Sequence, residues 1–180
     1  MSRNVWRGQR DARVVTRADL GAWLLKGNAD LTGLLGRFAD EPHVRRWCVQ
    51  RSYRLELMEA GQPVLFWASG SRRRDLAYGI WGCGRLLGPP RPEADGPGWW
   101  VPLDLTIAPP SAWIGRDVLR VHRELADLEV LRQPQAANPS FVTVRQWEAI
   151  RRDFALAAGA GEGPPGTTNP DQVTPRHELP

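Results

Sequence analysis

The nine tryptophans among these 180 residues have the most distinctive chemistry in the sequence. Indole rings offer large flat faces, and a nucleic-acid base that has left its stack is held between such faces by about 1–3 kcal/mol per stacked base. Large rings are also highly buried on average, so core packing is the alternative for each of them. We expect several tryptophans to line a pocket and the others to fill the core.

Position along the chain separates the two groups of tryptophans. Trp23, Trp81 and Trp147 occupy strand interiors or an apolar helix face and are predicted core residues. Of the indications that spacing alone provides, the adjacent pair Trp99 and Trp100 favours a pocket most strongly. Adjacent strand residues face opposite sides, so the two rings cannot share one core.

The charge balance favours a phosphate-bearing partner. The net charge is +4 and the isoelectric point is about 9.8, and positive charge binds phosphates through counterion release. Lys26 is the only lysine, but this arginine excess follows genomic base composition as readily as function. Arginine binds phosphate bidentately and stacks on bases. The arginines expected to hold the phosphates that flank a bound base are Arg45, Arg46, Arg51, Arg54, Arg72, Arg73 and Arg74. A run such as 72–74 is more often a solvated loop than a phosphate-binding site.

Catalytic groups are not arranged in any recognisable constellation. The three histidines, His43, His122 and His177, stand apart from a nucleophile, and Ser69 lacks the Gly-x-Ser-x-Gly frame. The two cysteines have no metal-ligand spacing and are expected to be free thiols in a reducing compartment. We therefore expect no enzyme activity, no metal and no cofactor.

The glycines at 79, 82, 84 and 88 do not form a dinucleotide-binding loop. Such a loop must open a helix, whereas Gly84 is followed by residues 85–90, which end in two prolines. Glycines in a strand more often permit a bulge or the close approach of another backbone. We expect that role here.

The chain divides into three parts by composition. Residues 1–18 form a basic N-terminal arm, 19–156 one domain, and 157–180 a Gly- and Pro-rich tail expected to be disordered. The sequence shows no signal peptide and no apolar run of membrane-spanning length, so we expect a cytoplasmic protein.

The hydrophobic pattern predicts an α+β domain built on a strongly curved sheet or open barrel. Strands are predicted at 21–26, 46–50, 64–68, 76–87 and 99–107, in hairpin-like order. Asn28 is predicted to cap a helix that carries Leu31, Leu34, Leu35 and Phe38. Thr143 and Gln146 have the spacing of a capping box before a closing helix.

Six segments, taken in order, resemble a known family. They are WLLKGN (23–28), WCV (47–49), GQPVLFWASG (61–70), GIWGCG (79–84), LEVLRQPQ (128–135), and NP followed by QWEAI (138–150). Each is weak alone, but the ordered set is similar to the EVE domain, a PUA-like fold related to YTH readers of modified RNA. The chain departs from the family pattern at Gln62, where an acidic residue is usual, and in the arginine-bearing connection 71–75.

The resemblance implies a mixed sheet or open barrel flanked by helices. It also implies an aromatic pocket that takes a flipped-out, often modified, base of DNA or RNA, and it implies no catalysis. By analogy, the cage walls are Trp47 and either Trp99 or Trp100, with Trp67 a further candidate. Asn28 and Ser69 would hydrogen-bond the base edge. Lys26, beside them, completes the predicted pocket.

Two other functions remain open at this stage, besides an enzyme whose catalytic residues go unrecognised. One is a PUA-like RNA-binding module that is indifferent to base modification. The other is a protein-interaction or small-ligand domain, for which ligand binding would depend weakly on salt. The sequence does not choose between DNA and RNA.

Overall fold

The computed structural model of the chain describes residues 14–31 and 33–154. Most of the predicted basic arm and the whole of the predicted tail therefore lie outside the described residues. The last part of the arm packs on the domain. Val15 is buried there, and its backbone N–H donates to the Tyr53 hydroxyl at 3.0 Å.

Within residues 14–31 and 33–154, eight strands form one sheet, with four helices and two short 3-10 turns between them. The strands are β1 (Leu20–Asn28), β2 (His43–Val49), β3 (Pro63–Ser69), β4 (Gly79–Leu86), β5 (Arg91–Pro92), β6 (Trp99–Ile107), β7 (Ile114–Gly115) and β8 (Ser140–Thr143). The helices are α1 (Leu34–Asp40), α2 (Arg116–Val121), α3 (Glu129–Arg132) and α4 (Val144–Asp153), and the 3-10 turns span Tyr53–Leu57 and Pro110–Ala112.

The sheet is mixed, in the order β2-β6-β4-β3-β1-β8, with β5 added to β6 and β7 added to β4. β1 and β3 run parallel, and the other neighbours are antiparallel. The α+β class and the curved mixed sheet expected from the sequence are confirmed. The parallel pair departs from the predicted hairpin-like order, because β1 pairs with β3 rather than with its neighbour in sequence.

The two outer strands of the sheet, β2 and β8, do not pair with each other, but side chains close the gap between β2 and β1. The Asn138 side chain accepts from the Lys26 backbone N–H at 2.9 Å and donates to the Cys48 carbonyl at 3.0 Å. The indole N–H of Trp47 donates to the Lys26 carbonyl at 3.0 Å. The result is an open barrel joined by hydrogen bonds from side chains.

Two hydrophobic clusters lie on opposite faces of the sheet, because successive strand residues point to opposite sides. Trp23 and Leu25 of β1 lie inside the barrel, whereas Ala22 and Leu24 lie outside it. The outer cluster is covered by α2, α3 and α4. Trp23, Trp81 and Trp147 are buried, as predicted for core residues.

Local sequence signals were correct at one helix and wrong at another. The capping box before α4 is present, with Gln146 N–H donating to Thr143 Oγ1 at 3.3 Å. α1 begins at Leu34 rather than after Asn28, whose side chain accepts from the Asp30 N–H in a turn. Gly33, in the left-handed conformation with φ 57°, sets the start of this helix.

Candidate functional site

A cavity of about 500 Å³ opens where the parallel strands β1 and β3 end. Asn28 and Ser69, the last residues of these strands, are paired across the sheet. Parallel neighbours end at the same edge of a sheet, and crevices at carboxyl ends of strands are common ligand sites. The volume falls within the range of about 300–1,000 Å³ typical of small-molecule pockets. Its lining residues are Asn28, Asp30, Leu31, Trp67, Ser69, Gly70, Ser71, Arg72, Arg116, Arg120, Val130, Leu131, Pro134 and Gln135.

One side of the cavity combines amide and hydroxyl groups with an apolar floor. Ser69 Oγ donates to the Gly27 carbonyl at 3.0 Å and retains lone pairs that can accept. Trp67 pairs with Lys26 in the register of β1 and β3 and is only 4% exposed, so its ring forms the floor rather than an open stacking face. Val130 and Leu131 complete the apolar part. This side suits the edge and face of a planar heterocycle.

The lining of the cavity also includes three arginines and one carboxylate. Arg116 donates to the Gly70 carbonyl at 3.3 Å, and its guanidinium lies 5.9 Å from the centre of the Tyr78 ring. Among the described residues, Arg116 Nε is one of only two buried polar side-chain atoms without a hydrogen-bond partner. An unpaired buried donor costs about 1–3 kcal/mol. Arg120 differs, since it donates to Asp117 at 3.3 Å.

The carboxylate of Asp30 fixes the connection between β3 and β4. It accepts from the backbone N–H groups of Ser71 at 2.8 Å and Arg72 at 3.2 Å, and from the Tyr78 hydroxyl. The hydrogen bond from Tyr78, followed by those from the backbone, lowers the pKa of Asp30 below its usual value. The carboxylate is therefore ionised near neutral pH and holds the arginine-bearing loop against the cavity.

Replacing Asp30 with asparagine is expected to release this connection, because an amide keeps one acceptor and turns a donor toward the backbone N–H groups. Hydrogen exchange at the amides of Ser71 and Arg72 should accelerate at least several-fold. The substitution Asp95→Asn, which changes the charge equally on an exposed loop, should leave those amides unchanged.

Acidification should have the same effect as the substitution at Asp30, with a defined sign. Because the folded pKa is lowered, the contribution of this carboxylate is fully present above the usual aspartate pKa of about 4. It is lost as the pH falls through the lower, folded value. Unchanged protection of Ser71 and Arg72 in the asparagine variant would contradict the assigned role.

Lys26 supports the cavity from behind. Its ammonium group donates to the carbonyl of Pro134 at 3.3 Å and to that of Ala136, so it fixes the segment that forms one wall. Burial lowers the pKa of Lys26; the nearby Glu129 carboxylate opposes this shift and the Arg54 guanidinium adds to it. The predicted residues Asn28, Trp67 and Ser69 thus line the cavity, and Lys26 stabilises one of its walls.

The other predicted cage wall, Trp47, lies on the opposite face of the sheet. Its ring packs edge-on against Phe66 with centroids 4.8 Å apart, inside the barrel. The guanidinium of Arg37 lies 5.3 Å from the centre of its ring. Trp47 and Trp67 therefore do not form two walls of one cavity, because a β-sheet stands between them.

Trp99 and Trp100 lie at the start of β6 and do not line the cavity. As expected for adjacent strand residues, they face opposite ways: Trp99 packs against the inner core, and Trp100 lies beneath the guanidinium groups of Arg46 and Arg91, at 4.9 and 5.7 Å. Arg46 also pairs with Glu93 at 2.8 Å. Trp100 therefore belongs to a separate surface.

Of the seven arginines predicted to contact a nucleic-acid backbone, only Arg72 lines the cavity. Arg73 lies on the same loop but pairs with Asp75 at 2.6 Å. Arg54 must be withdrawn from the set, because its guanidinium is buried and bonded to Glu129. The remaining four, Arg45, Arg46, Arg51 and Arg74, are exposed elsewhere.

The sequence did not single out Asp30, Tyr78, Arg116 or Arg120. The two arginines belong to α2, a helix of six residues with no marked hydrophobic period. Asp30 falls in the first turn of the helix predicted after Asn28, where an acid needs no binding role. Only the pairing of β7 with β4, which brings Ile114 beside Ile80, places α2 at this edge of the sheet.

A second cavity, of about 560 Å³, lies between α1 and the end of β6 and is almost wholly apolar. Its floor includes Trp81 and Trp113, which stack with centroids 3.9 Å apart. It contains none of the predicted pocket residues.

Comparison with known proteins identifies the fold. No family model and no curated protein matches the sequence. A hypothetical protein from Leishmania major aligns with a TM-score of 0.53 and 18% identity, over 76% of this chain and 96% of that one. Protein PSPTO5229 from Pseudomonas syringae aligns with a TM-score of 0.52 and 20% identity, over 73% of this chain and 97% of that one.

The chain shares the fold of these proteins, a mixed open sheet flanked by helices. At these identities the likeness establishes the fold alone. Human THYN1, solved in complex with DNA containing 5-methylcytosine, aligns at 13% identity over 72% of this chain and 94% of that one. Its TM-score of 0.44 is too low to support an argument about the ligand of this chain. No helix in the described part of the chain has the length and apolarity to cross a bilayer.

Proposed function

We propose that this chain is a non-catalytic nucleic-acid reader that accommodates one extruded base, preferably a modified one, in the cavity at the ends of β1 and β3. The observation that carries the proposal is the pairing of Asn28 and Ser69, two groups suited to a base edge, in a cavity that arginines also line. A pocket for an uncharged ligand has no need of those arginines.

The apolar floor accounts for a preference for a methylated base. A methyl group buried against Trp67, Val130 or Leu131 contributes up to about 0.8 kcal/mol. This corresponds to a preference of only a few-fold, so steric exclusion of other bases has to add to it. Extruding a base from a duplex costs a few kcal/mol, and single-stranded or distorted substrates should bind best.

A titration of short oligonucleotides, followed by intrinsic tryptophan fluorescence, tests the proposal. DNA and RNA, single- and double-stranded, would each be plain or carry methylated cytosine, hydroxymethylated cytosine or methylated adenine. We expect tightest binding to one modified single strand and an affinity that falls steeply with salt, because phosphate contacts release counterions.

A matched pair of variants assigns the binding to this cavity. Gln135 lines it, whereas Gln133 is an exposed residue of the same segment that does not. Gln135→Glu places a carboxylate in the cavity and is expected to weaken oligonucleotide binding by about tenfold, equivalent to 1.4 kcal/mol. Gln133→Glu, with the same net charge, should bind like the unmodified chain.

The possible results separate the proposal from its alternatives. Equal affinity for plain and modified strands would indicate a general PUA-like RNA-binding module. Equal loss in both glutamate variants would contradict a site in this cavity. Failure to bind any oligonucleotide would favour a protein or small-ligand domain, for which the apolar cavity over Trp81 and Trp113 is the supporting observation.

A further inference from the structure

The cavity at the ends of β1 and β3 has two chemically different halves that lie next to each other along the chain. Ser69, in the base-edge half, is followed directly by Gly70, whose carbonyl accepts from the Arg116 guanidinium. Consecutive Cα atoms are only about 3.8 Å apart. A positive charge therefore lies within one residue of the groups that face a base.

Two of the three arginines in this cavity have guanidinium N–H donors that a ligand can use. Among the described residues, no carboxylate forms a salt bridge with Arg72 or Arg116, whereas Arg73 and Arg120 are paired with aspartates. Arg116 makes one hydrogen bond, to Gly70, and its buried Nε has no partner among the described residues. A guanidinium has five N–H donors in a planar fork that matches the oxygens of a phosphate.

One acidic group opposes an anion here, the carboxylate of Asp30. Its oxygens accept from Ser71, Arg72 and Tyr78, so three hydrogen-bond donors already surround its charge. Arg120 is paired with Asp117, so Arg72 and Arg116 against this single carboxylate leave the cavity net positive. Arg72 and Arg116 come from different elements, the β3–β4 connection and α2.

We propose that this cavity binds a whole nucleotide rather than a base alone, with a phosphate held between Arg72 and Arg116 and the base facing Asn28 and Ser69. The inference rests on the proposed function and extends it. The phosphate is that of the bound residue itself, so an isolated nucleoside 5′-monophosphate is a ligand without any flanking strand.

Calorimetric titration of the full chain at low salt tests this inference. The probes are deoxycytidine and 5-methyldeoxycytidine, the 5′-monophosphates of both, the 5′-monophosphates of deoxyadenosine, deoxyguanosine and thymidine, and inorganic phosphate. We expect at least one monophosphate to bind tenfold or more tightly than its nucleoside and than inorganic phosphate, and to displace a bound oligonucleotide.

Two arginines of one loop provide a matched pair. Arg72 lines the cavity, whereas Arg74 is exposed and does not. Arg72→Gln is expected to reduce the preference for monophosphate over nucleoside by about tenfold, and Arg74→Gln to leave it unchanged, at equal net charge. Arg116→Lys keeps the charge but removes the fork and should give an intermediate loss.

The outcomes distinguish failure of this inference from failure of the proposed function. Equal binding of nucleoside and monophosphate, or binding of phosphate alone as tightly as of monophosphate, would overturn the inference. Oligonucleotide binding that no monophosphate displaces would overturn it while the proposed function stands. Monophosphate binding that depends on Arg72, with no binding of any oligonucleotide, would support the inference and overturn the reader.

Discussion

Replacing Glu129 with leucine is expected to lower the free energy of unfolding by about 3–5 kcal/mol, because it leaves a buried guanidinium without its counter-charge. Arg54 donates to the two carboxylate oxygens of Glu129 at 2.9 and 2.6 Å, and the two side chains are only 9% and 8% exposed. Ser140 donates to the same carboxylate at 2.6 Å and would lose its acceptor as well.

The charged state of Arg54 explains why the loss is large. Burial disfavours its charge, but the hydrogen bonds and the negative charge of Glu129 more than compensate, and the pKa of Arg54 is raised. Without Glu129, the guanidinium stays protonated in a buried setting, where the Pro139 carbonyl and Tyr53 are neutral partners that do not balance its charge. Burying a charge without a partner is among the few single changes that cost more than 4 kcal/mol.

Thermal unfolding measures this loss. For a chain of this size, 1 kcal/mol shifts the melting temperature by about 2–4 °C, so a decrease of roughly 10 °C is expected. The double variant Arg54→Met with Glu129→Leu should recover much of it, because apolar residues of similar volume often replace a buried pair without loss. Glu148→Leu, at an exposed position of α4, is the control. A melting temperature unchanged in Glu129→Leu would show that the pair does not stabilise the fold.

The buried pair also bears on the candidate site. Glu129 begins α3, whose next two residues, Val130 and Leu131, line the cavity. The negative charge of Glu129 also counteracts the lowering of the Lys26 pKa by burial. Lys26 in turn holds the segment around Pro134, which lines the cavity. Ligand affinity should therefore fall together with stability in Glu129→Leu, whereas Arg72→Gln should change affinity alone.

Strand positions were the part of this fold that local sequence predicted best. Short apolar runs bounded by glycine and proline mark β1, β3 and β6 to within two residues. Proline inside a strand is confined to edges and bulges, and the register does shift beside Pro102 of β6, between Val44 and Arg46 of β2. Each of these signals depends on a few neighbouring residues.

Features set by pairing between distant segments could not be predicted in this way. β8 is four residues long and carries no alternation of its own, and it is defined by pairing with β1. The face on which a tryptophan lies depends on register, and a slip of one residue exchanges the faces. The pairing of β3 with β4 shifts register between Phe66 and Trp67. Spacing in the sequence therefore could not assign Trp67 and Trp47 to opposite faces of the sheet.

The sequence therefore predicted only part of the candidate site. Asn28 and Ser69 were assigned to the base edge by analogy with the family, and each is the last residue of a strand that local sequence predicts. Arg116 lies 46 positions from its hydrogen-bond acceptor, Gly70. No local period connects two such positions, and only the folded sheet brings them together.

Gly84→Ala is expected to be strongly destabilising, whereas Gly36→Ala should be stabilising, although both replace glycine by alanine inside a regular element. Gly84 of β4 pairs with Leu105 of β6, and a Cβ at Gly84 would overlap the Asp104 carbonyl oxygen and lie 2.5 Å from the Leu105 Cα. Both obstacles are backbone atoms of a central strand, which cannot move aside as a side chain can. We expect a loss of about 3 kcal/mol, at the upper end of the usual cost of overpacking.

Gly36 is the matched control, because a Cβ added there meets no atom within 4 Å. It lies on the exposed side of α1, where alanine is favoured over glycine by about 0.5–1 kcal/mol. Urea denaturation of both variants, with a common m-value, measures the two changes directly. Opposite shifts of the midpoint would show that the glycines of β4 are required by the close approach of β6, as their spacing in the sequence predicted. A neutral Gly84→Ala would mean that β4 and β6 can separate there, and the glycine run would need another explanation.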